Sequence, residues 1–229
     1  MMATFQNLID EIQVDLRDPN ALTWSEAEIK GLINLGIQHV EGVYPKEIVK
    51  EYNYTSPSIS NGLKTVDIST TTNTAGGDRF LSVFRIDVFG GSVGARTGYL
   101  ESIVSSVGEG ANSGWELHGG VLYLAPGYTL ASPSVLRVYG YGTYNICGSG
   151  VSASAVTVDL DTSAENAVKV FAQSEALYRL VGDRAAFQQW QVASGATDVT
   201  PIGMNQLAFS SRQRWKDELR RIRRLRRVA

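Results

Sequence analysis

Few side chains in this sequence are of the types that carry out acid–base, nucleophilic or metal chemistry. The 229 residues include two histidines, His39 and His118, and one cysteine, Cys147. Periodicity assigns His39 to a helix and His118 to a turn, and neither has another histidine, a cysteine or a carboxylate at ligand spacing. We therefore predict no metal site and no cofactor, and a single cysteine excludes an intrachain disulfide.

One serine stands in a pattern typical of hydrolases. Gly90-Gly-Ser92-Val-Gly94 matches the G-x-S-x-G sequence that places a nucleophile on a turn between a strand and a helix. Ala95 to Gly98 do not continue as a helix, and no aspartate separates Ser92 from His118, the only histidine downstream. We interpret the match as a chance feature of glycine-rich sequence and predict that the chain is not an enzyme.

The strongest chemical signal is the positive charge of residues 212–229, which we call the basic segment. It holds nine arginines and lysines against two acids, a net charge of +7, so the other 211 residues carry −9 of the chain's total of −2. Four apolar residues within it recur at spacings of four, three and three, which places them along one face of an α-helix. They are Trp215, Leu219, Ile222 and Leu225.

Three interpretations of the basic segment are open. A solvated tail is the ordinary meaning of an arginine run, but it has no use for an apolar stripe. Docking to a protein with an apolar groove and an acidic rim would use both features, whereas nucleic acid would use only the arginines. We predict docking to a protein, through Arg212, Arg214, Trp215, Leu219, Arg220, Ile222, Arg223, Arg224, Leu225 and Arg227.

Two amphipathic helices are predicted near the start of the chain. The first covers residues 5–16 with Thr4 as its N-cap, and the second begins at a capping box formed by Ser25 and Glu28 and ends at Tyr44-Pro45. Three glycines inside the second helix, Gly31, Gly36 and Gly42, cost about 1 kcal/mol each relative to alanine. Close contact with a neighbouring helix or subunit would explain them, and a loosely constrained surface would do so equally.

Helical periodicity returns after residue 161. Thr162 and Glu165 form a candidate capping box for a helix that is apolar over a wide arc and therefore central. Gly182-Asp183 interrupts this helix, and a loop over Gly195–Gly203 leads into the last helix.

The middle of the chain alternates apolar and polar residues, as strands do. Trp115–Leu124 reads as two short strands joined by a Gly119-Gly120 turn, and 17 of the 23 glycines lie between Gly62 and Gly150. We predict an α+β fold. A helical bundle of residues 1–47 and 162–203 carries an inserted antiparallel β-sandwich or small barrel over 48–161, followed by a projecting basic helix over 204–229.

Membrane and export signals are not predicted. No apolar run approaches the 18 residues of a membrane span, and the first residues, MMATFQNLIDEIQ, carry early acids instead of the apolar core of a secretory signal. We expect no membrane association and a protein made in a cytoplasm.

The order of these elements resembles the head-to-tail adaptor, or connector, proteins of tailed bacteriophages. The N-terminal motif is Leu22-Thr-Trp24-Ser-Glu-Ala-Glu-Ile29, followed by Asn34 inside a helix that ends at Tyr44-Pro45. The β segment with Trp115, Gly119-Gly120 and the tyrosine-rich strand from Arg137 to Tyr144 is similar to the β insertion of larger members. An alanine-rich helix from Glu165 and a basic terminal helix complete the resemblance, whereas the glycine-rich second helix and the long Gly/Ser loops depart from it.

The resemblance implies a structural virion protein in the neck between capsid and tail. It implies a homo-oligomeric ring, usually of twelve copies, which binds the portal protein through its C-terminal segment and meets downstream neck, tail or tail-spike proteins. Genomic DNA would pass through the channel without sequence-specific binding. We also predict helix-packing or subunit-contact roles for Trp24, Gly31, Asn34 and Gly36. The alternative is a DNA-binding accessory protein that uses the basic helix.

Overall fold

Two compact units make up the chain. The computed structural model describes residues 4–54, 58–60, 63–68, 79–90, 96–100, 115–124 and 134–228; at 54, 58–60, 63–64, 90, 96–100, 134 and 224–228 it describes the backbone alone. Met1–Pro45 and Tyr144–Ala229 form one unit, the helical unit, and Lys46–Thr143 form the other, the β unit. Mixed helix and antiparallel sheet confirm the α+β class.

The first two helices begin at the predicted caps. Helix α1 spans Phe5–Asp15, and the Thr4 side chain accepts a hydrogen bond from the backbone of Asn7. Helix α2 spans Glu26–Glu41, and the Ser25 hydroxyl and Glu28 carboxylate form the predicted reciprocal box. Each helix buries one apolar face, so both are fixed by packing as well as by their caps.

Three further helices complete the helical unit. Helix α3 spans Thr162–Gly182, α4 spans Arg184–Ser194 and α5 spans Pro201–Val228. The predicted cap of α3 is wrong by one residue, because the Asp161 carboxylate accepts from the Ala164 amide at 2.8 Å while Glu165 pairs with Lys169.

The predicted loop before the last helix is too long. Helix α5 already begins at Pro201, since proline at the first helical position lacks an N–H that the helix would leave unpaired anyway. The Thr200 hydroxyl accepts from the Gly203 amide at 3.1 Å and caps this turn.

Helix α3 is the centre of the helical unit. Ten of its residues are buried, and α2 and α5 pack against it. Gly36 of α2 makes this approach close, since a Cβ there would lie 3.0 Å from the Phe171 ring. The ring of Trp215 from α5 lies 5.0 Å from the same phenylalanine, so both helices meet α3 at one level.

Residues 144–161 belong to the helical unit, although they were predicted within the β domain. The backbone N–H of Phe5 donates to the carbonyl of Val156 at 3.0 Å, and Thr4 forms an isolated bridge with Thr157. This segment has strand-like composition, but it pairs with the start of α1 and closes the helical core. The basic helix also lies within this unit instead of forming a separate domain.

The β unit contains two antiparallel four-stranded sheets. The first has the order β1-β8-β4-β5, from β1 Lys46–Tyr54, β8 Ser134–Gly142, β4 Phe80–Gly90 and β5 Arg96–Leu100. The second has the order β2-β3-β7-β6, from β2 Ser58–Ser60, β3 Leu63–Asp67, β7 Val121–Leu124 and β6 Trp115–His118. Neither sheet closes on itself within the strands described, so these strands do not form the barrel that was one of the two predicted alternatives.

The predicted Gly-Gly hairpin is confirmed. Gly119 and Gly120 have φ of +59° and +86°, the left-handed values that a two-residue turn between antiparallel strands requires. In this hairpin, Trp115 of one strand lies opposite Leu124 of the other. Buried residues of both sheets form one hydrophobic cluster: Ile48, Ile68, Phe80, Ile86, Val88, Trp115, Leu122, Leu124, Leu136 and Val138.

Candidate docking surface

The inner face of α5 is buried within its own chain. Met204, Ala208 and Ile222 are buried, and Trp215, which lies on the same face, is partly covered. The Trp215 ring lies 5.0 Å from Phe171 and 5.7 Å from His39, and the latter two rings lie 4.9 Å apart. This three-ring cluster ties α5 to α2 and α3.

Arg212 is also engaged inside the chain. Its guanidinium lies 4.9 Å above the Tyr178 ring and 3.7 Å from the Glu175 carboxylate, both on α3. A cation over an aromatic face with a carboxylate beside it is a favourable, half-buried arrangement. Arg212 therefore positions α5, and its charge is already partnered.

An adjacent face of α5 is exposed and changes character along its length. Ile202, Phe209 and Lys216 follow at seven-residue intervals, and Arg220 and Arg223 continue the same face. The first part of this face is apolar and the last part is cationic. Ion pairs of 3.2 Å from Arg220 to Asp217 and 3.4 Å from Arg221 to Glu218 lie on the surface, where such pairs stabilise little.

The predicted docking residues therefore divide into groups. Trp215 packs against rings of α2 and α3, Ile222 is buried and Leu219 is half-buried, so the chain itself covers the described part of the stripe. For these three residues the stripe is not free for a partner as predicted, because sequence periodicity shows that a face is buried but not which part of the structure covers it. Arg214, Arg220 and Arg223 are exposed, whereas the side chains of Arg224, Leu225 and Arg227 lie outside the described residues.

Trp24 is held by a buried carboxylate. Asp18 accepts hydrogen bonds from the backbone N–H groups of Leu22, Thr23 and Trp24 at 2.8 to 2.9 Å. The amide of Gln13 donates to the carbonyl of Trp24 at 3.4 Å. These bonds fix the turn that leads into α2, so Trp24 has a packing role inside the helical unit.

Asn34 joins α2 to the segment before α3. Its Nδ2 donates to the carbonyl of Cys147 at 2.8 Å, and its Oδ1 accepts from the Cys147 N–H at 3.0 Å. Gly36 packs against Phe171, but a Cβ at Gly31 would meet nothing within 4 Å. Three of the four contact residues thus have a partner within the chain, and Gly31 stays open as a position for subunit contact.

Two features of this unit escaped sequence reasoning. The exposed stripe of Ile202 and Phe209 fell partly in the predicted loop, although its seven-residue spacing could have revealed it. A shallow, open depression between α4 and the turn before α2 is lined by Leu22, Val192 and neighbouring residues, and no sequence signal marks it.

The other chemical candidates show no assembled site. Cys147 is buried, which raises the pKa of its thiol and disfavours the reactive thiolate. His118 lies 2.6 Å from Glu116 at the hairpin surface. Among the residues whose positions are described, no group of three possible metal ligands and no helix able to cross a membrane is found. Ser92 lies outside these residues.

Comparison with known proteins adds no assignment. No protein-family model matches the chain, and no curated protein matches it at a significant level.

Proposed function

We propose that the chain is a structural adaptor of a tailed-phage virion. Its copies form a ring beneath the portal and connect the DNA-filled head to the tail, with twelve copies as the resemblance implies. The β unit, with its two sheets packed as a sandwich, and the outer helical surfaces meet the downstream neck, tail or tail-spike proteins.

The observation that carries this proposal is the cationic end of an anchored helix. Trp215 and Arg212 hold α5 antiparallel to α3 at the levels of Phe171 and Tyr178. At 1.5 Å per residue this register places Ile222 beside the first two turns of α3, so the residues from Arg223 onward lie at that end of the helix and reach at most about 6 Å past its start at Thr162.

An anchored helix suits binding to an acidic protein surface. Because the chain itself covers the apolar face, the helix is already ordered and loses little conformational entropy on binding. The arginines then need only carboxylates on the partner. This narrows the partner on the portal from an apolar groove with an acidic rim to an acidic surface. The net charge of −9 on the rest of the chain disfavours a firm grip on the passing DNA.

Deletion of Arg223–Ala229 tests the proposal, because it removes the cationic end and leaves Trp215 and Ile222 in place. We expect the truncated protein to fold and to lose binding to the cognate portal, measured by co-sedimentation. Arg184→Glu, which reverses an exposed charge on α4, is the matched control and should retain binding. A truncated protein that still joins the portal would rule out this docking mode.

DNA binding is the second candidate, favoured by the exposure of Arg214, Arg220 and Arg223. If about seven charges neutralise phosphates, the logarithm of the affinity for duplex DNA falls against the logarithm of salt concentration with a slope near −6. Weak binding with a shallow slope would remove this candidate and leave the adaptor. Tight binding to DNA with the steep slope, together with no binding to the portal, would favour the DNA-binding protein over the adaptor.

A further inference from the structure

A half-open groove of about 420 Å³ lies among α1, α3, α4 and α5 of the helical unit. Three apolar side chains form its floor, and each is at most 6% exposed: Leu16, Leu177 and Trp190. Leu207 of α5, which is 48% exposed, adds an apolar wall. The groove therefore offers a contact surface for one aliphatic side chain from outside the unit.

The floor of the groove is fixed by a hydrogen bond between two of its members. The indole N–H of Trp190 donates to the carbonyl of Leu16 at 2.9 Å. This bond joins α4 to the end of α1, so the groove is already formed before a ligand enters it. Binding then costs little conformational entropy on the side of this chain.

Two arginines border this apolar floor. Arg17 and Arg214 are both exposed, and neither guanidinium has an ion-pair partner among the residues whose positions are described. The two acids of α5 pair with other arginines of that helix. Of the described residues that line the groove, Asp15 alone carries a carboxylate, and it accepts a hydrogen bond from the neutral amide of Gln173 at 2.6 Å. Two cations against one carboxylate leave the groove positive.

Arg17 occupies a backbone position that favours glycine. Its φ is +57°, and it directly follows Leu16, the C-cap of α1. The N–H groups of Arg17 and Asp18 donate to the carbonyls of Val14 and Gln13 at 3.0 and 2.8 Å, the pair of bonds that ends a helix with a left-handed residue. Glycine adopts this conformation without a steric clash, whereas arginine does not. The arginine therefore weakens the turn, and its place at the groove gives the charge a use.

We propose that this groove binds a peptide segment of a partner protein in which a large aliphatic side chain stands next to a carboxylate. The aliphatic side chain packs over Leu177 and Trp190 beside Leu207, and the guanidinium groups of Arg17 and Arg214 bind the carboxylate. Charge complementarity selects the acid. A half-open groove suits one side chain of a longer chain, whose backbone continues outside.

Nucleic acid fits this groove less well than such a peptide. Phosphates would use the two arginines but not the apolar floor and wall. Trp190 is only 4% exposed, so its ring offers no face on which a base could stack.

The groove is separate from the cationic end of α5. Nine residues lie between the Cα positions of Arg214 and Arg223 in helical steps, which is about 14 Å along the axis. The inference therefore goes beyond the proposed function and does not depend on the portal or on a ring. It assigns Arg214, one of the predicted docking residues, to a different contact.

Three dye-labelled peptides, blocked at both ends, test the ligand. The probe is the heptapeptide GSELESG, whose binding to the full chain is measured by fluorescence anisotropy. The matched peptides GSQLQSG and GSEAESG lack the carboxylates and the aliphatic side chain, respectively. We expect each of them to bind at least about tenfold more weakly than the probe, because both parts of the ligand contact the groove.

Substitutions in the groove test the residues. Arg17→Gly should weaken binding of the probe about fivefold and at the same time raise the thermal midpoint, which separates loss of binding from loss of folding. Arg214→Gln should weaken binding to a similar extent. Asp15→Asn should tighten it, because this change removes the opposing charge and keeps an oxygen for Gln173. Lys216→Gln, which lies about 200° around α5 from Arg214, is the matched control and should bind as the unmodified chain does.

Several results would overturn the proposal. They are no measurable binding of the probe, equal binding of either matched peptide, and binding that Arg17→Gly and Arg214→Gln leave unchanged or that Asp15→Asn weakens. In the chain lacking Arg223–Ala229 the probe should still bind and short duplex DNA should not displace it; displacement would mean that the groove binds phosphates instead. Arg17→Gly should still bind the portal, so this inference and the proposed function fail separately.

Discussion

Gly31 and Gly36 lie five residues apart on α2 but have different surroundings. Replacing Gly31 by alanine adds a methyl group that meets nothing within 4 Å, so the helix should gain about 0.5 to 1 kcal/mol. In Gly36→Ala the new Cβ would lie 3.0 Å from Phe171 and 3.3 Å from Val168, and overpacking of about 1 to 3 kcal/mol should exceed the same gain.

Urea unfolding of both variants measures this difference. We expect the free energy of unfolding to rise for Gly31→Ala and to fall for Gly36→Ala. Equal effects at the two positions would mean that α2 and α3 are not packed as closely as described.

Glu41 carries a charge that the fold opposes. Burial, and next the nearby Asp159 carboxylate, raise the pKa of Glu41 above its ordinary value of 4.5. Its Oε1 finds no hydrogen-bond donor among the residues described. The folded state therefore binds this proton more tightly than the unfolded state, and stability is lost as pH rises from the ordinary pKa through the raised one.

Glu41→Gln should consequently stabilise the protein at neutral pH. The gain should disappear when the pH falls below the ordinary value of 4.5, where the wild-type group is protonated in both states. Glu28→Ala is the control with the opposite sign, because hydrogen bonds from Ser25 lower the pKa of Glu28 and stabilise the folded state above that range. Thermal unfolding at several pH values checks both, and a gain for Glu41→Gln that is constant with pH would contradict the account.

At the scale of elements, the cluster of Trp215, Phe171 and His39 is one of the contacts that hold α5. Trp215→Ala removes contacts to Phe171 and His39, and we expect a loss of about 2 to 3 kcal/mol, below the value for a fully buried tryptophan. Hydrogen exchange should then speed up along Pro201–Val228 while the β unit stays protected.

Two variants of α5 serve as controls for this prediction. Trp215→Phe keeps a ring in place and removes an N–H that lacks a partner among the described residues, so its effect should be small. Phe209→Ala, on the exposed face, should change the stability of the isolated chain by less than about 0.5 kcal/mol. Unchanged exchange along α5 in Trp215→Ala would show that the remaining contacts, such as those of Met204, Ala208 and Arg212, are sufficient to hold the helix.

Sequence reasoning predicted elements better than their partners. The caps at Thr4 and Ser25 and the Gly119-Gly120 turn were correct because each depends on residues three or fewer positions apart. The surroundings of Trp215 were not predictable, since Phe171 and His39 lie 44 and 176 residues away along the chain. For the same reason the shallow depression beside Leu22, which needs α4 in place, could not be predicted from the local sequence pattern.

At the scale of the molecule, the β unit is inserted through adjacent strand ends. Lys46, its first residue, pairs with Gly142 across the β1–β8 ladder. Inside the helical unit, the Tyr144 hydroxyl donates to the carbonyl of Tyr44 at 2.8 Å. The chain therefore leaves and rejoins the helical unit at nearly one point.

Replacing Lys46–Thr143 by a short Gly/Ser linker should leave the helical unit folded. The linker has little distance to span, and closing a short loop costs less entropy than closing a long one. We expect helical circular dichroism with a single cooperative thermal transition. A second variant with a longer linker is the control for strain caused by a linker that is too short. If neither variant shows the transition, the helical unit depends on the inserted residues.

The same insertion sets a time interval during translation. Helices α1 and α2 leave the ribosome first, but α3 is completed only at Gly182, 141 residues after Glu41. At 5 to 20 residues per second this takes about 7 to 28 s, during which the apolar faces around Ile33 and Ile37 have no α3 to cover them. Nascent chains arrested near residue 160 should thus be cut by protease in α1 and α2, and full-length chains should not.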